Sequence, residues 1–205
     1  MDARSYFMGA AVAEKSVMFD QIRTVAGDLF SQAGYKGMGM RSLAAAVGIQ
    51  VGSLYNHIES KQALLFELIS DYELNLLQIL KSRALSKCTG PVQMNAHLWE
   101  KVSAYVSESR NLAKLARAEL RHLSDAQASS ISEIRQHQQV QLQRLVSQSA
   151  GEVGLSDEGL GRLSEELQVL LDCFIKLEAD PSADPTWYVR GQLKRMAAML
   201  LVRRD

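Results

Sequence analysis

Apolar side chains recur three and four positions apart along most of this chain. Phe19, Ile22, Ala26, Leu29, Phe30 and Ala33 keep helical spacing up to Gly34, a residue suited to ending a helix. Leu43 and Val47 share one side of a short predicted helix over Ser42 to Val47. Gly48 follows, where a positive φ costs little, and Ile49 can turn back as a plug. A third short helix is predicted over Val51 to His57, anchored by Leu54 with Ile58 behind it. Ser60 is a ready N-cap for a long helix whose apolar face runs Leu64, Leu65, Leu68, Ile69, Tyr72, Leu76 and Ile79.

After "KCTGP" the helical pattern resumes. Pro91 suits the first turn of a helix that carries Leu98, Val102, Tyr105 and Val106 and ends near Ser109. Another is predicted from Leu112 to His122, and a long one from a cap at Ser124 to about Gln148, marked by Ile131, Ile134, Leu142 and Leu145. "SAGEVGLSDEG" reads as a loop. Two last helices fit Leu160 to Glu178 and Trp187 to Arg203, separated by "ADPSADP", whose prolines oppose helix continuation. No strand alternation of convincing length occurs. The pattern predicts an all-α protein. A three-helix bundle with a helix–turn–helix occupies residues 15 to 62, and a larger helical domain occupies residues 63 to 205.

Composition changes this picture little. Of 205 residues, 47% are hydrophobic and 22% charged, ordinary values for a globular protein with a real core. The formal net charge is zero, so the distribution carries more than the sum. Residues 36 to 61 hold Lys36, Arg41 and Lys61 against Glu59, whereas residues 151 to 185 hold nine acids against Arg162 and Lys176. An anion-binding face is therefore expected near the N-terminus. Cys88 and Cys173 lie far apart without metal-ligand spacing, so neither a metal nor a disulfide framework is predicted. The first residues lack the apolar core of a signal peptide, and no run approaches the roughly 20 apolar residues of a membrane span. A cytoplasmic protein without membrane contact is expected.

The short helices carry the most specific chemistry. A helix–turn–helix lays its second helix in the DNA major groove while the first braces it. With Ser42 to Val47 as brace, Gly52 and Ser53 open the recognition helix with little bulk, and Leu54 faces the core. Tyr55 and His57 can donate to phosphate, and Asn56 can reach a phosphate or a base edge. Lys61, in the first turn of the next helix, makes a phosphate clamp with the exposed amides there. Arg41 and Ser42 start the bracing helix and can hold the opposite strand. Taken singly, Tyr55 is equally an amphipathic core edge and His57 equally a solvated surface residue, Lys61 reads first as a surface lysine, and Asn56 says almost nothing. Their joint placement around a glycine-marked turn favours DNA binding.

These residues fall within "AGDLFSQAGYKGMGMRSLAAAVGIQVGSLYNHIESKQALLFELI", residues 26 to 69, which resembles the N-terminal DNA-binding domain of the TetR family of transcriptional regulators. "LFSQAGY" ends the first helix, "LAAAVGI" makes the brace and turn, and "GSLYNHIESKQAL" makes the recognition helix and the following cap. The resemblance implies phosphate contacts for Tyr55, His57 and Lys61, with Arg41, Ser42, Val51, Gly52, Ser53 and Asn56 facing DNA. Three positions depart from the family pattern. Gln50 stands where a serine or threonine usually caps the recognition helix, Val51 replaces a polar or basic residue, and Ile58 replaces phenylalanine. Further on, "AELRHLSDAQASSISEIRQHQQVQLQRLV" and "TWYVRGQL" resemble a TetR subgroup. Some of its members sense acyl-CoA thioesters or related degradation intermediates.

Within the larger domain, Leu98, Val102, Tyr105, Leu115 and Leu142 are candidates to enclose an apolar ligand, although each also fits an ordinary bundle core. Arg121 and His122 are candidates for the pocket mouth or for surface ion pairs. Arg117 and Arg135 are placed to meet a phosphate-bearing ligand and equally read as solvated arginines. In the last two helices, Leu163, Leu167, Leu170, Leu171 and Phe174, with Leu193, Met196 and Leu200, form apolar faces suited to a two-fold homodimer. Histidines are scattered without an HExxH signature, and Asp157 and Glu158 are adjacent rather than opposed, so no enzyme is expected. The expected function is that of a ligand-responsive repressor. It would be released from a palindromic double-stranded operator by a small hydrophobic or acyl-CoA-like effector and would need no cofactor. The rival reading is a helical dimeric interaction protein without specific DNA binding.

Overall fold

The structure, a computed structural model, describes residues 3–88 and 91–150, with Glu158, Gly161, Arg162, Glu165, Val169, Asp172 and Cys173 further along. The architecture is all-α, and the described residues contain no strand. Helix α1 (Ala3–Gly37) begins well before the apolar stripe that predicted it. It buries Ile22, Ala26 and Phe30. The stop expected at Gly34 is instead a kink: Gly34 takes φ 69° and ψ 173°, and the helical path resumes to Gly37.

Helix α2 (Met40–Val47) turns Leu43, Ala44 and Val47 inward. Gly48 closes it at φ 81°, and the Ile49 N–H reaches back to the Ala44 carbonyl at 2.9 Å. That left-handed closure aims the chain into α3 (Val51–Leu54). Helix α3 is shorter than the predicted helix to His57; the next residues form tight turns, with the His57 N–H on the Leu54 carbonyl at 3.0 Å. Two causes are visible. Gln50 supplies no side-chain cap, and only Leu54 is buried within the four residues, too little to propagate a helix.

Helix α4 (Lys61–Leu80) is capped as predicted, the Ser60 hydroxyl accepting the Ala63 N–H at 3.0 Å. Its buried face is wider than the predicted stripe, because Glu73, Leu77 and Leu80 are buried as well. It packs on α1 near one side and most extensively on the larger bundle. That bundle comprises α5 (Arg83–Ser86), α6 (Pro91–Glu108), α7 (Arg110–Ala118) and α8 (Asp125–Ala150). The single helix predicted from Leu112 to His122 is divided: α7 ends at Ala118, and a 3₁₀ turn covers Leu120–His122. Ser124 and Gln127 then form a reciprocal capping box for α8, with bonds of 3.0 and 3.3 Å. The core joins Ile22, Phe30, Leu43, Leu54 and Leu65 to Leu98, Val102, Leu115, Ile131 and Leu142 in one continuous cluster. Each such side chain contributes about 1.5–3 kcal/mol by leaving water. Gly27 lets α1 approach α7 closely; a Cβ there would lie 3.3 Å from the Leu112 side chain. No described helix is long and apolar enough to cross a membrane.

Candidate nucleic-acid interface

Burial of Leu43, Val47, Leu54 and Ile58 decides which side of the α2–α3 unit faces outward. Arg41, Ser42, Gly52, Ser53, Tyr55 and Asn56 are all exposed on it, Tyr55 by 51%. The side chains of Arg41, Ser42, Tyr55 and Asn56 make no hydrogen bond or ion pair with other described residues. A Cβ on Gly52 would meet nothing within 4 Å, so close approach from outside is unobstructed there. Val51 is half-buried against the core and offers only part of its surface.

His57 and Lys61 are held differently from the rest. His57 is half-buried, and its Nδ1 is buried without a hydrogen-bond partner. The Lys61 Nζ donates to the Met38 carbonyl at 2.5 Å and sits 4.5 Å from the centre of the Tyr35 ring. An ammonium has three donors, so this arrangement fixes the group and leaves others to bind outward. Met38 and Tyr35 are neighbours of Lys61 that the sequence reading missed. The available signal was an aromatic residue directly after the glycine that ends "SQAG".

A cavity of about 640 Å³ lies between α4, α7 and α8, lined by Tyr72, Glu73, Arg117, Leu120, Arg135 and Gln138 among others. Its wall is a polar network. Glu73, 3% exposed, accepts from Arg135 Nε at 2.8 Å and Nη2 at 2.5 Å, and from Gln138 Nε2 at 2.9 Å. Arg135 also donates to the Ala116 carbonyl at 3.0 Å. Arg117 donates to the Asp172 carbonyl at 2.6 Å and lies 3.3 Å from its carboxylate. Both arginines read as candidates for phosphate thus line the cavity, each paired with an acid of the protein. Burial, reinforced by the neighbouring Glu73 charge, pushes the Tyr72 phenol well above its ordinary pKa, so it stays a neutral donor. Its hydroxyl is buried without a partner. Burial likewise pushes Tyr105 up to about 12.

The structure places the expected pocket residues elsewhere. Leu98, Val102, Leu115 and Leu142 are at most 2% exposed and belong to the shared core. Tyr105 donates to the Tyr72 carbonyl at 3.0 Å and lines a separate groove on the α4–α6 side. Arg121 is exposed, and His122 packs against the N-terminal unit, its ring 4.6 Å from that of Tyr35. None of these seven lines the 640 Å³ cavity. Purely apolar positions on facing helices pack against one another, and this cavity lies where buried Glu73 and Gln138 interrupt that packing. Leu163, Leu167, Leu170, Leu171, Phe174, Leu193, Met196 and Leu200, the expected dimer face, lie outside the described residues. Among the described residues no group of three or more His, Cys, Asp or Glu could hold a metal ion.

An outward polar helix–turn–helix is thus joined by a long helix to a cavity-bearing helical domain. Residues 22–68 match the family model of bacterial regulatory proteins, tetR family. The match covers the N-terminal unit, and the chain shares its overall fold with solved members of that family. A bacterial regulatory protein in the tetR family from Rhodococcus RHA1 superposes with a TM-score of 0.74 at 17% identity, over 89% of this chain and 96% of that one. FadR, a fatty acid degradation regulator from Bacillus halodurans, gives 0.71 at 18% identity, over 87% and 93% of the two chains. AibR, in complex with isovaleryl coenzyme A and operator DNA, gives 0.67 at 18%, over 86% and 96%. Among curated protein sequences none matches the chain.

Proposed function

We propose that the chain, as a homodimer, represses transcription by binding a palindromic operator through Arg41, Ser42, Val51, Gly52, Ser53, Tyr55, Asn56, His57 and Lys61. Residues 15 to 62 form the operator-binding unit, and residues 63 to 205 the effector-binding and dimerising one. The observation that carries this reading is the corner around α3. Leu54 and Ile58 are buried in the core, while Arg41, Ser42, Tyr55 and Asn56 face outward without a partner among the described residues. A small molecule in the cavity between α4, α7 and α8 releases the operator, provided it binds the DNA-incompetent state more tightly. The complex of AibR with isovaleryl coenzyme A and operator DNA supports pairing these two sites on one fold. The polar lining here calls for a ligand rich in hydrogen-bonding groups rather than a bare hydrocarbon.

Selection from a random duplex library, followed by anisotropy titration, tests the reading. A short palindrome is expected. Tyr55→Phe should weaken binding to many sequences, because it removes a phosphate contact. Asn56→Ala should relax discrimination at one base pair per half-site, costing about 1–3 kcal/mol there. A folded protein that selects no sequence, with weak DNA binding indifferent to Tyr55 and Asn56, would transfer the assignment to a helical interaction protein.

A further inference from the structure

We propose that Tyr35 and His122 are positioning residues for Lys61, so that the larger domain sets the strength of a phosphate contact it does not itself make. The inference rests on the reading of Lys61 as a phosphate-binding group. A lysine on an open surface spreads its ammonium over many rotamers and pays for ordering when it binds. Lys61 escapes that cost only while two partners hold it, the Met38 carbonyl and the face of Tyr35.

Tyr35 is in turn held from both domains. Within the N-terminal unit it stacks on Phe30, centroids 6.0 Å apart and planes 7° from parallel. From the larger domain it meets His122 at 4.6 Å and 17°. The His122 carbonyl also accepts from Gln62 Nε2 at 2.7 Å, so one 3₁₀ turn grips both the ring beneath Lys61 and the residue that follows it. The seam has little slack. A Cβ on Gly34 would come within 3.2 Å of Glu119 Oε1, and the Glu119 carboxylate lies 3.3 Å from His122 Nε2. The same turn begins at Leu120, in the wall of the cavity, and continues directly from Arg117 and Ala116, which also line it. Anything that shifts the end of α7 therefore moves His122 against Tyr35. A contact serving only to pack two domains together would stabilise the fold without altering how DNA binding responds to salt, and this separates the two roles.

The test uses the full chain and a mixed-sequence duplex, since phosphate contacts are independent of sequence. Salt titrations should show Lys61→Ala lowering the slope of log K against log salt by about 0.9 per protomer, one phosphate's share. His122→Ala should lower it by most of that amount and add nothing to Lys61→Ala in the double variant. His122→Phe, which keeps a flat ring, should restore the slope. Should His122→Ala fail to fold, His122→Gln replaces it. NMR of free protein gives a second reading: the Lys61 ε-methylene should be shifted upfield by the Tyr35 ring and should lose that shift without the imidazole. Additive slopes, or a Lys61 shift retained in a folded His122 variant, overturn the proposal. A Lys61→Ala slope equal to wild type instead removes Lys61 from the proposed DNA contacts, and the NMR shift still decides whether His122 positions it.

Discussion

The corner around α3 and the cavity between α4, α7 and α8 are both built from polar side chains, and the protein treats them in opposite ways. At the corner, Arg41, Ser42, Tyr55 and Asn56 are left without partners among the described residues. In the cavity wall, Arg135 meets Glu73, Arg117 meets Asp172, and Gln138 completes the set. The difference follows from dielectric. An exposed polar group is satisfied by water, whereas a charge beside buried Glu73 must be matched by the protein itself. A ligand entering the cavity would therefore have to compete with contacts already made, and the proposed DNA contact at the corner would compete only with water.

Changes at the two regions should separate along that line. The largest effect is expected at Leu54, fully buried and the sole core anchor of α3. Leu54→Ala should cost about 2–5 kcal/mol in urea denaturation and remove DNA binding. A loss well below that would show the corner to be held by something other than this plug. Glu73→Gln comes next. It keeps the shape but leaves Arg135 without its carboxylate, and a cost on the order of 2 kcal/mol follows from the loss of charged hydrogen bonds. The Arg135 side chain is 40% exposed and recovers part of its hydration, so full buried-pair values do not apply. The smallest effect, and opposite in sign, belongs to Gln50→Ser. It would give α3 the cap it lacks and raise stability by about 0.5–1 kcal/mol, measured as a higher urea midpoint.

The same contrast governs what could be read without coordinates. The corner is local: Leu43, Val47, Gly48, Leu54 and Ile58 lie within sixteen residues, and their spacing alone turns the polar residues between them outward. The cavity is assembled from a distance, Glu73 and Arg135 being 62 positions apart. Ranking apolar residues led to Leu98, Val102, Leu115 and Leu142, which the core claims. A better signal stood beside them. Glu73 interrupts the apolar face of α4 between Ile69 and Leu77, and Gln138 interrupts that of α8 between Ile134 and Leu142. A polar residue at a core position requires a buried partner, and two such interruptions on long helices are candidates to meet. The place of Lys61 in the first turn of α4 was legible, but the contact of Tyr35 beneath it with His122 was not, because stacking across 87 positions leaves no periodic trace.

Helix α4 begins at Lys61 and passes Glu73 twelve residues later. At 1.5 Å per residue Lys61 and the cavity wall sit roughly 18 Å apart on one rod, and a tilt of about 5° pivoting at Glu73 swings the Lys61 end by about 1.6 Å. Hydrogen bonds to phosphate tolerate a few tenths of an ångström, so the lever multiplies a small rearrangement at the wall into one large enough to break a contact. An effector of the proposed kind would have no need to remodel the protein; it would only have to lean on the arm.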